Sequence, residues 1–208
     1  MSASLITFTE ATHEYRLPDG RRVPSVTEIL KATGVSVDFE EIGAMSTRIG
    51  EAIALKRDIG TALHKDVHAL DDDDLDWATV DPRVLPYVQA WQQFRADKPH
   101  LTPTERERIV YHAALQYAGT FDGVFFDSVT GRRILIDIKT GDADAAGARY
   151  QLCGYMLCVP AEERWAVRLL PGRTVPYQVT PYTDYRDFEV WRAIVATYYA
   201  QAARRRAA

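Results

Sequence analysis

The chain has 208 residues, with 25 Lys+Arg against 29 Asp+Glu for a net charge of −4, and is 47% hydrophobic and 26% charged. That is the size and composition of one globular domain. No stretch approaches the roughly 18 uncharged apolar residues of a membrane helix, and the opening MSASLITFTEATHEYR lacks a basic region followed by an apolar core; a soluble protein of the cytoplasm, with no membrane partner, is expected. The two cysteines, Cys153 and Cys158, would lie about 140° apart on a helix, so a disulfide is not expected, and two thiols cannot build a four-cysteine zinc or iron–sulfur site. Net acidity argues against a protein that coats nucleic acid by charge alone, while leaving room for an enzyme with a local basic groove.

In chain order, HEYRLPDGRRV from His13 to Val23 reads as a β-hairpin around Pro18-Asp19-Gly20, because Asp-Gly supplies the positive φ of a tight turn. A helix follows between Ser25 and Gly34, opened by a capping box in which Ser25 and Glu28 satisfy each other's backbone N–H groups. Residues 47–70 are expected to be helical, with Ile49, Ile53, Ile59, Leu63, Val67 and Leu70 giving an approximate apolar stripe that is broken near Gly60. The run Asp71 to Asp74 ends it and is expected to be a solvated loop, since four adjacent carboxylates point apart and lack the spacing of a calcium loop. Residues 83–97 resume the helical pattern, and Pro99 and Pro103 close a mainly helical first half, residues 1–103.

From Glu107 the pattern alternates through ERIVYHAAL, GTFDGVFFD and RRILIDIK, predicting three antiparallel strands with turns at Tyr117-Ala118-Gly119 and Thr130-Gly131. A helix of about 150–159, strands near 164–170 and 175–182, and a last helix from about 185 to 203 complete the second half, residues 104–208, of a single domain. On the third strand Ile134, Ile136 and Ile138 share one face, and Leu135, Asp137 and Lys139 the other. The glycine of Gly119-Thr-Phe-Asp122 lets backbone or a ligand approach closely just before that acid. Asp122 lies 15 residues from both Glu107 and Asp137, so short turns could bring three carboxylates to one end of the sheet. Without equal positive charge they would repel one another unless a divalent cation sat among them, and oxygen ligands suit Mg²⁺ or Mn²⁺.

The ordered set Gly119-Thr-Phe-Asp122, Asp137-Ile-Lys139 and Gln151-Leu-Cys-Gly-Tyr155 resembles the PD-(D/E)XK nuclease superfamily, in the branch of the RecB nuclease domain and phage-type exonucleases. Gly60-Thr-Ala-Leu-His64, Glu107-Arg-Ile-Val-Tyr111 and Pro24-Ser-Val-Thr-Glu-Ile-Leu30 are similar to further motifs of that branch, so the likeness spans about residues 13–159. The resemblance implies an α/β fold with a restriction-endonuclease-like core: a central mixed sheet flanked by helices, preceded by the hairpin and helical part. It implies Mg²⁺ or Mn²⁺ held by His64, Asp122, Asp137 and the Ile138 carbonyl, with Lys139 as the catalytic lysine. Glu107 would sit at the rim of the metal site, with Glu105 its rival. Gln151 and Tyr155 would position Lys139 and the DNA backbone. Lacking the cysteines for an iron–sulfur cluster, the chain resembles the cluster-free exonucleases of that branch more than its cluster-bearing members.

The implied function is hydrolysis of DNA at linear ends in recombination or repair, alongside a recombination partner protein. A structure-selective or restriction-like endonuclease and a catalytically silent nucleic-acid-binding module are the alternatives. Each residue also has a plainer reading. A lone Asp-x-Lys is ordinarily a surface ion pair, and a lone helical histidine such as His64 is ordinarily structural, as His68 is taken to be. Trp91 and Trp191 fall in apolar stripes and belong to the core. Trp77 and Trp165 could stack on bases. Arg48, Lys56, Arg57, Lys65, Arg106 and Arg108 are candidate phosphate contacts, each ordinarily a solvated charge, and Arg204 to Arg206 suit a helix C-terminus.

Overall fold

The computed structural model describes residues 6–37, 39–44, 46–140 and 145–207. Strands β1 (Thr7–Thr9), β2 (Glu14–Arg16) and β3 (Arg22–Val23) form an antiparallel sheet in that order. The expected hairpin is β2–β3, with Gly20 at φ 81° in its turn; β1, only three residues long, had no alternation to announce it. Helix α1 (Val26–Ala32) is capped by Ser25, whose Oγ accepts the Glu28 N–H at 2.9 Å. The reciprocal half of the capping box is replaced: the Glu28 carboxylate accepts from Arg22 and from the Tyr198 hydroxyl, tying α1 to the C-terminal helix.

After the short α2 (Phe39–Ala44), α3 (Thr47–Asp71) is the helix expected over residues 47–70 and runs unbroken through Gly60. A glycine inside a helix costs about 1 kcal/mol relative to alanine, too little to interrupt so long an element. The acidic run, by contrast, is more structured than the solvated loop expected of it. The Asp71 side chain is 3% exposed and accepts from Arg95 Nε at 2.9 Å and Trp91 Nε1 at 3.3 Å, while Asp72 pairs with Arg106.

Helix α4 (Leu85–Asp97) leads directly into β4 (Leu101–His112), which starts six residues before the expected position. Pro103 is accommodated because β4 is an edge strand, and the ladder shifts register between Pro103 and Glu105. Tyr117, Ala118 and Gly119 are not a turn but the start of β5 (Tyr117–Asp127). The reversal occurs upstream, where Gln116 adopts φ 55° and its N–H bonds the His112 carbonyl at 2.7 Å. The second turn is where Thr130-Gly131 placed it, with Gly131 at φ 72° leading into β6 (Arg132–Thr140). Helix α5 (Ala145–Met156) begins earlier and ends sooner than predicted, followed by β7 (Glu163–Leu169), β8 (Tyr177–Pro181) and α6 (Arg186–Ala207).

The large sheet has order β4-β5-β6-β7-β8 and is mixed: β6 and β7 are parallel, the other neighbours antiparallel. Helices cover both faces. Leu135 packs with Ile29, Leu152 and Trp191 from α1, α5 and α6. Ile134, Ile136 and Ile138 pack with Leu63, Trp91 and Phe94 from α3 and α4. The alternation read along β6 is therefore observed. Among the described residues no helix is long and apolar enough to cross a membrane.

Candidate active site

The site begins where two neighbouring strands part. The β5–β6 ladder runs from Asp127↔Arg132 to Gly123↔Ile136 and stops. Beyond that point β5 stays with β4, and β6 stays with β7 as far as Thr140↔Leu169. The backbone polar groups released by this splay must find other partners. Ala118 N–H donates to the Pro24 carbonyl at 3.0 Å, so the segment before α1 takes over part of the vacated edge. Ile138 N–H donates to Asp122 Oδ2 at 2.6 Å. The Asp122 carboxylate thus bridges the gap just where Asp137 and Lys139 follow on the other strand.

Asp137 is 2% exposed, and its Oδ2 lies 2.8 Å from Lys139 Nζ. Burial pushes its carboxyl up to about 6, opposed by Lys139 and reinforced by the Asp122 charge. For Lys139, burial disfavours the ammonium, but Asp137 and Asp122 outweigh it and the net direction is upward; the amine is held protonated. Nζ also donates to Gln151 Oε1 at 3.0 Å, and Gln151 Nε2 donates to the Tyr155 hydroxyl at 3.3 Å. Tyr155 itself is 4% exposed and its hydroxyl meets the site through Gln151. Its ring occupies the space above Gly119, where a Cβ would lie 2.5 Å from Cε1. What approaches Gly119 closely is thus this side chain, where backbone or a ligand was expected.

Helix α3 presents His64 and His68, one turn apart, with ring centroids 6.5 Å from each other. His64 Nδ1 lies 3.7 Å from Asp122 Oδ1, and His68 Nδ1 lies 3.5 Å from Glu107 Oε1. Glu107 is flanked by the pairs Arg106↔Gly123 and Arg108↔Phe121, which sets it across from Asp122, with φ 41°. The structure therefore brings two histidine–carboxylate pairs side by side. The second pair was missed in the sequence, although the four-residue spacing of His64 and His68 carried the signal. Burial lowers the His68 imidazole, against the opposing pull of Glu107. Glu105 is engaged elsewhere, with Arg108 and Arg133.

Whether these residues suit a divalent cation rests on the donors. Among the described residues no three His, Cys, Asp or Glu side chains form a group that could hold a metal as they stand. The donor chemistry nevertheless fits: hard carboxylate oxygens with one imidazole nitrogen suit Mg²⁺ or Mn²⁺. His64 Nδ1 is also buried without a hydrogen-bond partner while facing Asp122. His64, Asp122, Asp137 and the Ile138 carbonyl are the groups that would hold the ion.

Of the candidate phosphate contacts, Arg106 and Arg108 are paired with Asp72 and Glu105. Lys65 lines a pocket of about 490 Å³ together with Glu10, Asp58, Thr61, Ala62 and Glu107. Trp91 and Trp191 are fully buried, Trp77 is exposed, and Trp165 is half-buried and bonded to Glu163.

No family model and no curated protein matches the chain. Among solved structures, that of SSO0001 is similar, at 18% identity over 68% of this chain and 74% of its own, with a TM-score of 0.38. A likeness this distant bears on neither the site nor its activity.

Proposed function

We propose that the protein is a divalent-metal-dependent deoxyribonuclease with a restriction-endonuclease-like core, acting as an exonuclease on linear DNA in recombination or repair. One observation carries this reading: at the splay of β5 and β6, Asp122 bridges to the Ile138 N–H while Asp137 and Gln151 hold the Lys139 ammonium beside it. Two acids and an amine converging at a strand opening match the needs of phosphodiester hydrolysis. A bound divalent ion would supply Lewis-acid polarisation of the phosphate and a lowered pKa for water. The chain's own part follows from its geometry. An ammonium carries three donors; with Asp137 and Gln151 on two sides, the third serves a phosphate oxygen and stabilises the charge that develops there. Asp137 and Asp122 keep that amine charged. Gln151, backed by Tyr155, fixes its direction.

End-labelled linear DNA and covalently closed circular DNA, each incubated with Mg²⁺, Mn²⁺ or EDTA, test the reading. Linear DNA is shortened from its ends, circular DNA is left intact, and EDTA stops the reaction. Lys139→Ala lowers turnover by about 10²–10³-fold. Cleavage of circles would mark an endonuclease, and binding with no cleavage under any metal would mark a silent nucleic-acid-binding module.

A further inference from the structure

A second cluster of charges lies beneath α5, away from the carboxylates. Arg164 on β7 is 2% exposed and pairs across the sheet with Leu135. Its Nη1 donates to the Arg149 carbonyl at 2.9 Å and also meets Cys153 Sγ. Its Nη2 is held by Asp187 Oδ2 and by the Asp184 carbonyl. Asp187, 2% exposed in the first turn of α6, also accepts from Arg149 Nε at 2.6 Å. One buried guanidinium thus grips α5 at residues 149 and 153, on either side of Gln151, while Asp187 locks that guanidinium to α6.

Burial of an ion pair is weak grounds for stability, since apolar residues of similar volume often serve as well or better. What the pair adds is direction. Apolar contacts such as those of Leu152 tolerate sliding, whereas the hydrogen bonds of a planar guanidinium do not. A slide of one residue along a helix is about 1.5 Å, enough to break the 3.0 Å contact between Gln151 and Lys139.

We propose that Arg164 and Asp187 are positioning residues: their buried clamp sets the register of α5 on the sheet and, through Gln151, the direction of the Lys139 ammonium. The catalytic consequence rests on the nuclease reading above; the structural consequence does not. The test is the double substitution Arg164→Met/Asp187→Leu, which keeps an apolar filling and leaves Arg149 with Asp184, 3.3 Å away. Expected are cooperative melting, displaced NMR resonances of the Gln151 side-chain amide, and a turnover number lowered tenfold or more with KM for DNA unchanged. Adding Gln151→Ala to the double variant then costs no further turnover, because both changes act through one contact. A folded double variant with wild-type Gln151 resonances and turnover overturns the proposal. So does a loss that adds in full to that of Gln151→Ala. Should the double variant not fold, Arg164→Lys, which keeps the charge and loses the fork, is judged by the same measures. Should the wild type cleave no DNA, the nuclease reading falls, and the Gln151 resonances alone decide the clamp: displaced, it stands; unmoved, it fails.

Discussion

Asp122 and Asp137 meet at one opening but are held by different means. Asp122 gives one oxygen to a backbone N–H and turns the other toward His64, whereas Asp137 is enclosed beside Lys139 and its carboxyl is pushed up to about 6 by burial. A cation at this site requires Asp137 ionised, so below about pH 6 a proton competes for the same carboxylate. Mn²⁺ affinity, measured by calorimetry in buffers of different ionisation enthalpy, is therefore expected to weaken as pH falls through 6, with proton release accompanying binding there and fading above it; equal affinity at about pH 5 and about pH 7.5 would contradict this. The two histidines separate by their partners. His64→Ala removes the nitrogen that faces Asp122 and lowers Mn²⁺ affinity by about tenfold, more than Mg²⁺ affinity, because nitrogen suits Mn²⁺ better. His68→Ala, which loses the Glu107 contact and the ring beside His64 but no group facing Asp122, leaves Mn²⁺ affinity unchanged; purely thermal effects from both substitutions would remove His64 from the site.

The elements that carry these residues depend on small side chains at close crossings. Gly119→Ala would put a methyl 2.5 Å from the Tyr155 ring, and the overpacking is expected to destabilise the fold by about 1–3 kcal/mol. Urea denaturation would show this, with part of the loss recovered in Gly119→Ala/Tyr155→Leu because the two changes share one contact; additive losses would place the clash elsewhere. This crossing also shows how far the site could be read from the sequence. Alternation along β6 put Asp137 and Lys139 on one face, the i, i+4 pair Gln151 and Tyr155 marked one face of α5, and Gly119 flagged a close approach without telling that a tyrosine ring, and not backbone or a ligand, makes it. The splay could not be read, because it depends on where the β5–β6 ladder ends, and hence neither could the Asp122 bond to Ile138. β4 was obscured by Pro103, which only an edge position tolerates. The true turn was hidden because its left-handed residue is Gln116 and not a glycine, and the start of α5 because Ala145 to Ala148 are too small to form an apolar stripe.

At the scale of the whole molecule, one sheet is shared by two helical layers that do not otherwise resemble each other. Trp191 is fully buried on the side of α1, α5 and α6, Trp91 on the side of α3 and α4. Each layer packs on alternate residues of the same strand, Leu135 on one side and Ile134 and Ile136 on the other. Both layers depend on the same strands, and loss of either leaves one apolar face of the shared sheet bare, so the domain should unfold in a single cooperative transition. The N-terminal sheet is joined to this unit by the Tyr15 hydroxyl on Thr120 Oγ1 at 2.9 Å and by Ala118 N–H on Pro24, both beside the splay, and is expected to melt with it. Variants retaining Trp91 or Trp191 as the sole tryptophan, with phenylalanine at the other three positions, report the two layers separately by fluorescence. Coincident urea midpoints, measured against the far-ultraviolet circular dichroism of each variant, are the expected result. A fluorescence midpoint for Trp191 below the dichroism midpoint of the same variant would mean that the layer carrying Gln151 opens first, and that the amine of Lys139 loses its support before the sheet does.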